Sequence, residues 1–228
     1  MALTAHIDTM GIKEGNCILP VCACCMDLRS KKFLTYAREA AKTFSKAHIV
    51  LCDTLDAHNY TDEDAPNWQE VREITRGYAA TWFQKHESKL EEAFEQGITV
   101  LHWDEIRNDK SFAEKSRVVQ RLYADNADCK RYIDDIVNYI VNEKAKRAQN
   151  QGFTPDLDTL HRRSLAYLME EIPGTVIYQE RYKAPVVYSG VYFDDPQFFN
   201  RMRLKGEPDM TLPLWCPAKF TQDLPLAA

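Results

Sequence analysis

The sequence predicts an α/β fold, a parallel sheet flanked by helices, and three observations carry that prediction. Short apolar runs occur at Cys17-Ile18-Leu19-Pro20-Val21, Ala47-His48-Ile49-Val50-Leu51-Cys52 and Ile98-Thr99-Val100-Leu101-His102-Trp103. They read as buried strands. Long stretches with helical periodicity separate them, so the order is strand, helix, strand, helix, strand. That order gives parallel pairing through right-handed crossovers.

The elements follow in chain order. Residues 1–15 read as a loose lead-in. Residues 17–23 form the first buried strand, and it runs into a cluster of small, reactive side chains, Cys22-Ala23-Cys24-Cys25. Residues 30–46 form a helix, with Phe33, Leu34, Tyr36, Ala37, Ala40, Ala41 and Phe44 close to a 3.6-residue period. Residues 47–52 are the second buried strand, and 53–67 a polar loop. Residues 68–96 read as one long helix or a broken pair, ended by Gly97, and 98–103 as the third strand. Residues 111–149 are strongly helical, in two helices meeting near Asn126. Residues 152–156 interrupt the pattern. Residues 158–171 form another helix, stopped by Pro173-Gly174. Thr175-Val176-Ile177-Tyr178 and Pro185-Val186-Val187-Tyr188 read as late strands. From Gly206 onward prolines recur at 208, 213, 217 and 225, which predicts an extended tail over the surface. No internal repeat or low-complexity linker divides the chain, so residues 1–228 are expected to form a single catalytic domain.

The bulk numbers agree with one soluble domain. A chain of 228 residues can bury a core without staples. Its net charge of −5 gives no global attraction to nucleic acid, so DNA is not an expected partner and any RNA contact needs a local basic patch. No apolar run approaches the roughly 20 residues that span a membrane. The first fifteen residues lack the basic-then-apolar order of a signal peptide. The seven cysteines, at 17, 22, 24, 25, 52, 129 and 216, are odd in number and irregular in spacing. Four of them fall within nine residues of one strand and turn, where neighbours point apart. Reduced thiols in a cytoplasmic protein are the expectation. Cys-Ala-Cys-Cys lacks metal-ligand spacing and has no partner pair downstream, so no metal is expected.

Several constellations could carry chemistry. A thiol at a strand-to-helix turn, such as Cys22, can face helix N-terminal dipoles that favour thiolate, the nucleophilic form. Buried cysteines more often pack as small hydrophobes. Tyr167 and Glu171 stand four apart near a helix end and share a face. A phenol beside a carboxylate can hold an ammonium group and move protons. Glu170 is equally acidic, and spacing barely separates the two glutamates. Tyr188 closes an apolar run at a strand end. Arg72, Arg76, Lys85 and Lys89 recur on the 68–96 stretch with Tyr78, Trp82 and Phe83 among them. That mixture suits phosphates and bases, or simply a solvated face diluted by nearby glutamates.

With these pieces in place the chain resembles the cyclodipeptide synthases. That family uses two aminoacyl-tRNAs to make a diketopiperazine. Its Rossmann-like fold is similar to the catalytic domain of class I aminoacyl-tRNA synthetases. The resemblance runs from Cys17 to about Tyr192. The family's Tyr-x3-Glu-Leu-Pro is matched by Tyr167-Leu168-Met169-Glu170-Glu171-Ile172-Pro173, the most specific signal. Its strand ending in Gly-aliphatic-Ser-Pro, followed by a helix and a buried strand, aligns its catalytic serine with Cys22. A shift of two residues would choose Cys24. A further family tyrosine falls on Tyr188. The departures are a Cys for the Ser, Pro20 for a Gly, a thinner basic helix, and Cys25 and Ser189 at the two positions that mark the bacterial subgroups. In these departures it resembles the divergent fungal branch that makes arginine-containing cyclodipeptides.

The resemblance implies a mechanism. Cys22 attacks the ester of a first aminoacyl-tRNA to give an aminoacyl-enzyme. Glu171 and Tyr167 hold the α-ammonium group, and Cys24 and Cys25 line the pocket. Tyr188 shuttles a proton as the dipeptidyl group closes. Arg72, Arg76, Lys85 and Lys89 would meet tRNA. The ester carries its own activation energy, so no cofactor is implied. Two readings compete with this one: a cysteine-dependent acyl hydrolase using His48 or His102 as base, and a non-catalytic fold that binds tRNA or a protein.

Overall fold

The computed structural model describes residues 3–7, 11, 12, 14–22, 26–188 and 215–222. The first half of the chain runs β1 (Leu3–Ile7), β2 (Asn16–Val21), α1 (Met26–Ala40), β3 (Lys46–Leu51), a short 3-10 helix (Leu55–Asn59), α2 (Trp68–Glu91) and β4 (Ile98–His102). The second half continues with α3 (Trp103–Arg107), α4 (Phe112–Asp125), α5 (Ala127–Asn150), α6 (Leu157–Tyr182), β5 (Val186–Tyr188) and β6 (Trp215–Gln222). The strands form one six-stranded sheet in the order β1-β6-β5-β2-β3-β4. β6, β5, β2, β3 and β4 pair in parallel, and β1 adds an antiparallel edge on β6.

The central strands β2 and β3 are largely apolar because both faces are covered. On one face Cys17, Leu19 and Val21 of β2, with Ala47, Ile49 and Leu51 of β3, pack with Phe33, Tyr36 and Ala37 of α1 and Trp82 and Leu90 of α2. The alternate residues Ile18, Val50 and Leu101 pack on the other face with Trp103 and Ile106 of α3 and Ile177 and Tyr178 of α6. A third cluster joins α4, α5 and α6 through Val119, Leu122, Ile133, Val137, Leu168 and Ile172. The helices expected over 111–149 do meet at Asn126. Its side chain accepts from the backbone N–H of Cys129 and caps α5.

Several expectations are corrected. Residues 175–178 are not a strand, and Pro173-Gly174 does not stop the helix. α6 continues to Tyr182 with Pro173 inside it and ends at Lys183, which takes a left-handed cap at φ 49°. Burial decides this: Val176 fills the helical cluster while Ile177 and Tyr178 fill the sheet-side cluster, which only helical spacing achieves. Gly174 is there for closeness, since a methyl group on it would lie 2.4 Å from Trp103 Cη2. Residues 1–15 are not wholly a loose lead-in, because Leu3–Ile7 pairs with β6, a partner far away in sequence. The polar loop at 53–67 is inside over its first part. Residues 53–58 are buried, and part of them forms the 3-10 helix. Trp103 leaves the third strand to start α3. Part of the proline-rich tail, Trp215–Gln222, enters the sheet as β6.

Candidate active site

Strand order places the site. β2 leads to β3 and β4 on one side and lies against β5 on the other, so the connections diverge at the carboxyl ends of β2 and β5. Ligand sites in open parallel sheets gather at such a point. Cys22 follows directly on β2, and Tyr188 is the last residue of β5. Cys52, Asp53 and Asp56 follow β3, and Trp103 and Asp104 follow β4.

The Cys22 thiol donates to Asp56 Oδ1 at 3.0 Å. Asp56 sits in the 3-10 helix and is fully buried, and it also accepts from Asn59 Nδ2 at 3.2 Å. Tyr167 and Glu171, one turn apart on α6, come to the same place. Burial pushes the Tyr167 phenol well above its ordinary value, and the charges of Glu171, Cys22, Cys52 and Asp56 push it further. Glu171 is only 9% exposed. Burial, then the Asp56 charge, raise its carboxyl to about 8. No hydrogen bond from the described residues offsets that rise. The same burial and carboxylates hold the Cys52 thiol well above its usual range. The arrangement is a nucleophile-type atom with a carboxylate in hydrogen-bond contact, beside a second carboxyl that has no cation partner among the described residues. A ligand bearing an ammonium group would supply that cation.

The neighbouring glutamates have opposite roles. Glu170 accepts from Trp103 Nε1 at 2.6 Å and from His58 Nε2 at 3.0 Å, and Arg107 lies at 3.5 Å. His58, Arg107 and Trp103 hold its carboxyl below the ordinary value against the burial that would raise it. Glu170 lines a separate cleft of about 350 Å³ with His58, Glu63 and Arg107. It anchors α6, whose next residue, Glu171, lies buried near Tyr167 and Asp56. Gly174 completes the arrangement, because the Trp103 ring lies across it. Asp53 ties β3 to β4 by accepting from the backbone N–H of Trp103 at 3.0 Å and from His102 Nδ1 at 2.7 Å.

The structure thus brings Cys22, Tyr167 and Glu171 together, and β5 ends with Tyr188 beside the strand that carries Cys22. Cys24 and Cys25 lie outside the described residues. Arg72 and Arg76 both pair with Asp104, whereas Lys85 and Lys89 are exposed further along α2. Together with Tyr78, which is 61% exposed, those two lysines fall on one helical stripe at spacings of seven and four residues. The histidines considered as bases are engaged elsewhere. His48 Nδ1 meets Thr99 Oγ1 at 2.6 Å, its ring stacks on Tyr182, and burial lowers it to about 4. His102 meets Asp53. Sequence reading missed Asp56. The available signal was Cys52-Asp53-Thr54-Leu55-Asp56, carboxylates set immediately after a buried parallel strand.

No described helix is long and apolar enough to cross a membrane. No protein-family model matches the sequence, and no curated protein sequence matches it. Solved structures do match its fold. A CDPS from Fluoribacter dumoffii superposes with a TM-score of 0.75 at 15% identity, covering 97% of this chain and 100% of that one. A cyclodipeptide synthase from Candidatus Glomeribacter gigasporarum, bound to Phe-tRNAPhe, gives 0.63 at 16% identity over 95% of this chain and 92% of that one. A Mycobacterium tuberculosis protein gives 0.55 at 12% identity, covering 97% of this chain and 94% of that one. Its structure is described as demonstrating that cyclodipeptide synthetases are related to type I tRNA synthetases. The chain therefore has the Rossmann-like fold of these proteins, as its sequence predicts.

Proposed function

We propose that the chain is a tRNA-dependent cyclodipeptide synthase, joining two aminoacyl groups from aminoacyl-tRNAs through an aminoacyl-Cys22 thioester. The observation that carries the reading is the meeting of Cys22 with Tyr167 and Glu171 in a fold shared with cyclodipeptide synthases along nearly the whole chain. Cys22 forms the acyl bond. Glu171, close to its titration point at neutral pH, gives up its proton when the substrate ammonium arrives, and Tyr167 closes the same side. A second aminoacyl-tRNA then donates its amine to the thioester. Tyr188 is assigned the proton transfer as the dipeptidyl group cyclises. Cys24 and Cys25 are assigned to the pocket. Holding both acyl groups together supplies much of the acceleration through proximity. On α2, Lys85 and Lys89 with Tyr78 suit a tRNA contact, and Arg72 and Arg76 join them where Asp104 leaves guanidinium N–H groups free. The excess of carboxylates at the site supports a cationic substrate, as in the arginine-containing branch that the sequence resembles.

The Cys22 thiol donates to Asp56 and His48 is tied to Thr99, which speaks against the hydrolase reading. The test is mass spectrometry of medium from a bacterium expressing the native chain beside Cys22→Ala, with purified protein given charged total tRNA in parallel. A cyclic dipeptide from the native chain alone is expected. Product surviving in the variant would move the nucleophile to another thiol. Binding of aminoacyl-tRNA without release of free tRNA would favour the non-catalytic fold.

A further inference from the structure

We propose that Asp56 is the general base for Cys22 and returns the same proton to the leaving group. This rests on the reading of Cys22 as the acyl acceptor. Three observations support it. The thiol donates to Asp56 Oδ1 at 3.0 Å, within reach for direct proton transfer. Asp56 is fully buried, so the two groups meet away from bulk water. As the donor in that contact the sulfur carries the proton, which must leave during attack.

The third observation is that Asp56 is oriented from behind. Lys144 Nζ donates to Asn59 Oδ1 at 2.7 Å and to Ser164 Oγ at 3.3 Å. An ammonium group only donates, so it fixes the carbonyl side of the Asn59 amide toward itself and turns the NH2 toward Asp56. Asn59 Nδ2 then holds Asp56 Oδ1 at 3.2 Å. Asn59 and Lys144 are positioning residues, anchored through α5 and α6. No histidine is needed in this arrangement.

The step balances without an outside reactant. As the Sγ–C bond forms at the ester carbonyl, the thiol proton passes to the Asp56 carboxylate. The tetrahedral adduct collapses, and the carbonyl carbon–ribose oxygen bond breaks. The proton then leaves Asp56 for the ribose oxygen. The products are the thioester and a tRNA with a free hydroxyl, Asp56 is again a carboxylate, and nothing is oxidised or reduced.

The probe is p-nitrophenyl acetate, a neutral activated ester that needs no tRNA site. Acetylation of Cys22 in the purified full chain is followed by peptide mass, with Cys22→Ala as the blank. Asp56→Asn is expected to react about 100-fold more slowly, and the native reaction is expected to slow in D2O because a proton moves in the step. If Asp56 were only a neighbouring charge, its removal would ease thiolate formation and the variant would react as fast or faster. That outcome, a native rate unchanged in D2O, or an unmodified Cys22 would overturn the proposal. Should Asp56→Asn fail to fold, the D2O comparison on the native protein decides. Charged total tRNA given to the same native protein tests the parent reading separately. Acetylation that depends on Asp56, with no acyl transfer from any aminoacyl-tRNA, would sink cyclodipeptide synthesis and leave the Cys22–Asp56 pair standing.

Discussion

Replacing Glu171 by Gln removes a buried carboxyl while keeping its shape, and the consequence for stability depends on pH in a defined direction. In the folded protein Glu171 holds its proton up to a pH of about 8, against an ordinary value of 4.5. The folded state therefore binds more protons than the unfolded chain between those limits. Its contribution to stability is complete below the lower limit and is lost as pH rises through the upper one. The gap corresponds to about 3–5 kcal/mol at 1.36 kcal/mol per pH unit. Glutamine carries no charge at any pH and escapes that loss. Urea unfolding of both proteins between about pH 5 and pH 9 gives the difference directly. His48, lowered to about 4, works in the opposite sense, adding stability as pH rises toward 6.5. It is present in both proteins and cancels in the difference. The Gln variant should gain on the native protein by several kcal/mol between about pH 5 and pH 8, then hold level. A difference that stays flat across the range would refute the claim that Glu171 is buried without a cation. The same substitution should sharply lower product formation, because an amide carries no charge to balance a buried ammonium group.

Gly174→Ala should destabilise the fold by about 1–3 kcal/mol by overpacking, since the new methyl meets the Trp103 ring at 2.4 Å and 2.6 Å and Ile106 Cγ2 at 3.2 Å. Denaturant midpoints measure this. Displacement of the ring should also loosen the 2.6 Å bond from Trp103 Nε1 to Glu170 and lower turnover. Lys85→Ala and Lys89→Ala should each weaken aminoacyl-tRNA binding without loss of stability, and each should reduce the slope of log affinity against log salt by about 0.7–0.9. Arg72→Ala should instead lose about 1 kcal/mol of stability, because it takes a cation from the half-buried Asp104. An Arg72 variant of unchanged stability but a reduced salt slope would assign that residue to tRNA instead.

The three central parallel strands and the two long helices between them were legible because their signals are local. Cys17 to Val21 and Ala47 to Leu51 are apolar on both faces, which suits only a strand covered on both sides. Phe33 to Phe44 repeats at the helical period. The most specific part of the site was also local. Tyr167 and Glu171 stand one turn apart on a helix, so their spacing alone puts them on one face, and Cys22 follows a strand in a position typical of α/β sites. Residues 175–178 were misread because Thr, Val, Ile and Tyr favour strands in isolation. Two separate cores instead claim Val176 and Ile177–Tyr178, and helical geometry satisfies both.

The sequence by itself determined the fold class and the helical pairing of Tyr167 with Glu171, since each follows from periodicity along a few residues, and it pointed to the carboxyl ends of the strands for the candidate site. Tertiary structure alone decided which glutamate is held by donors from other elements. Trp103, His58 and Arg107 claim Glu170, while Glu171 lies buried near Tyr167 and Asp56. It alone placed Asp56 beside the sulfur, across thirty-four residues of chain, and paired β1 with a strand near the other end. Those contacts depend on chain closure over long separations and on how buried charges share a few donors, neither of which leaves a periodic mark in the sequence.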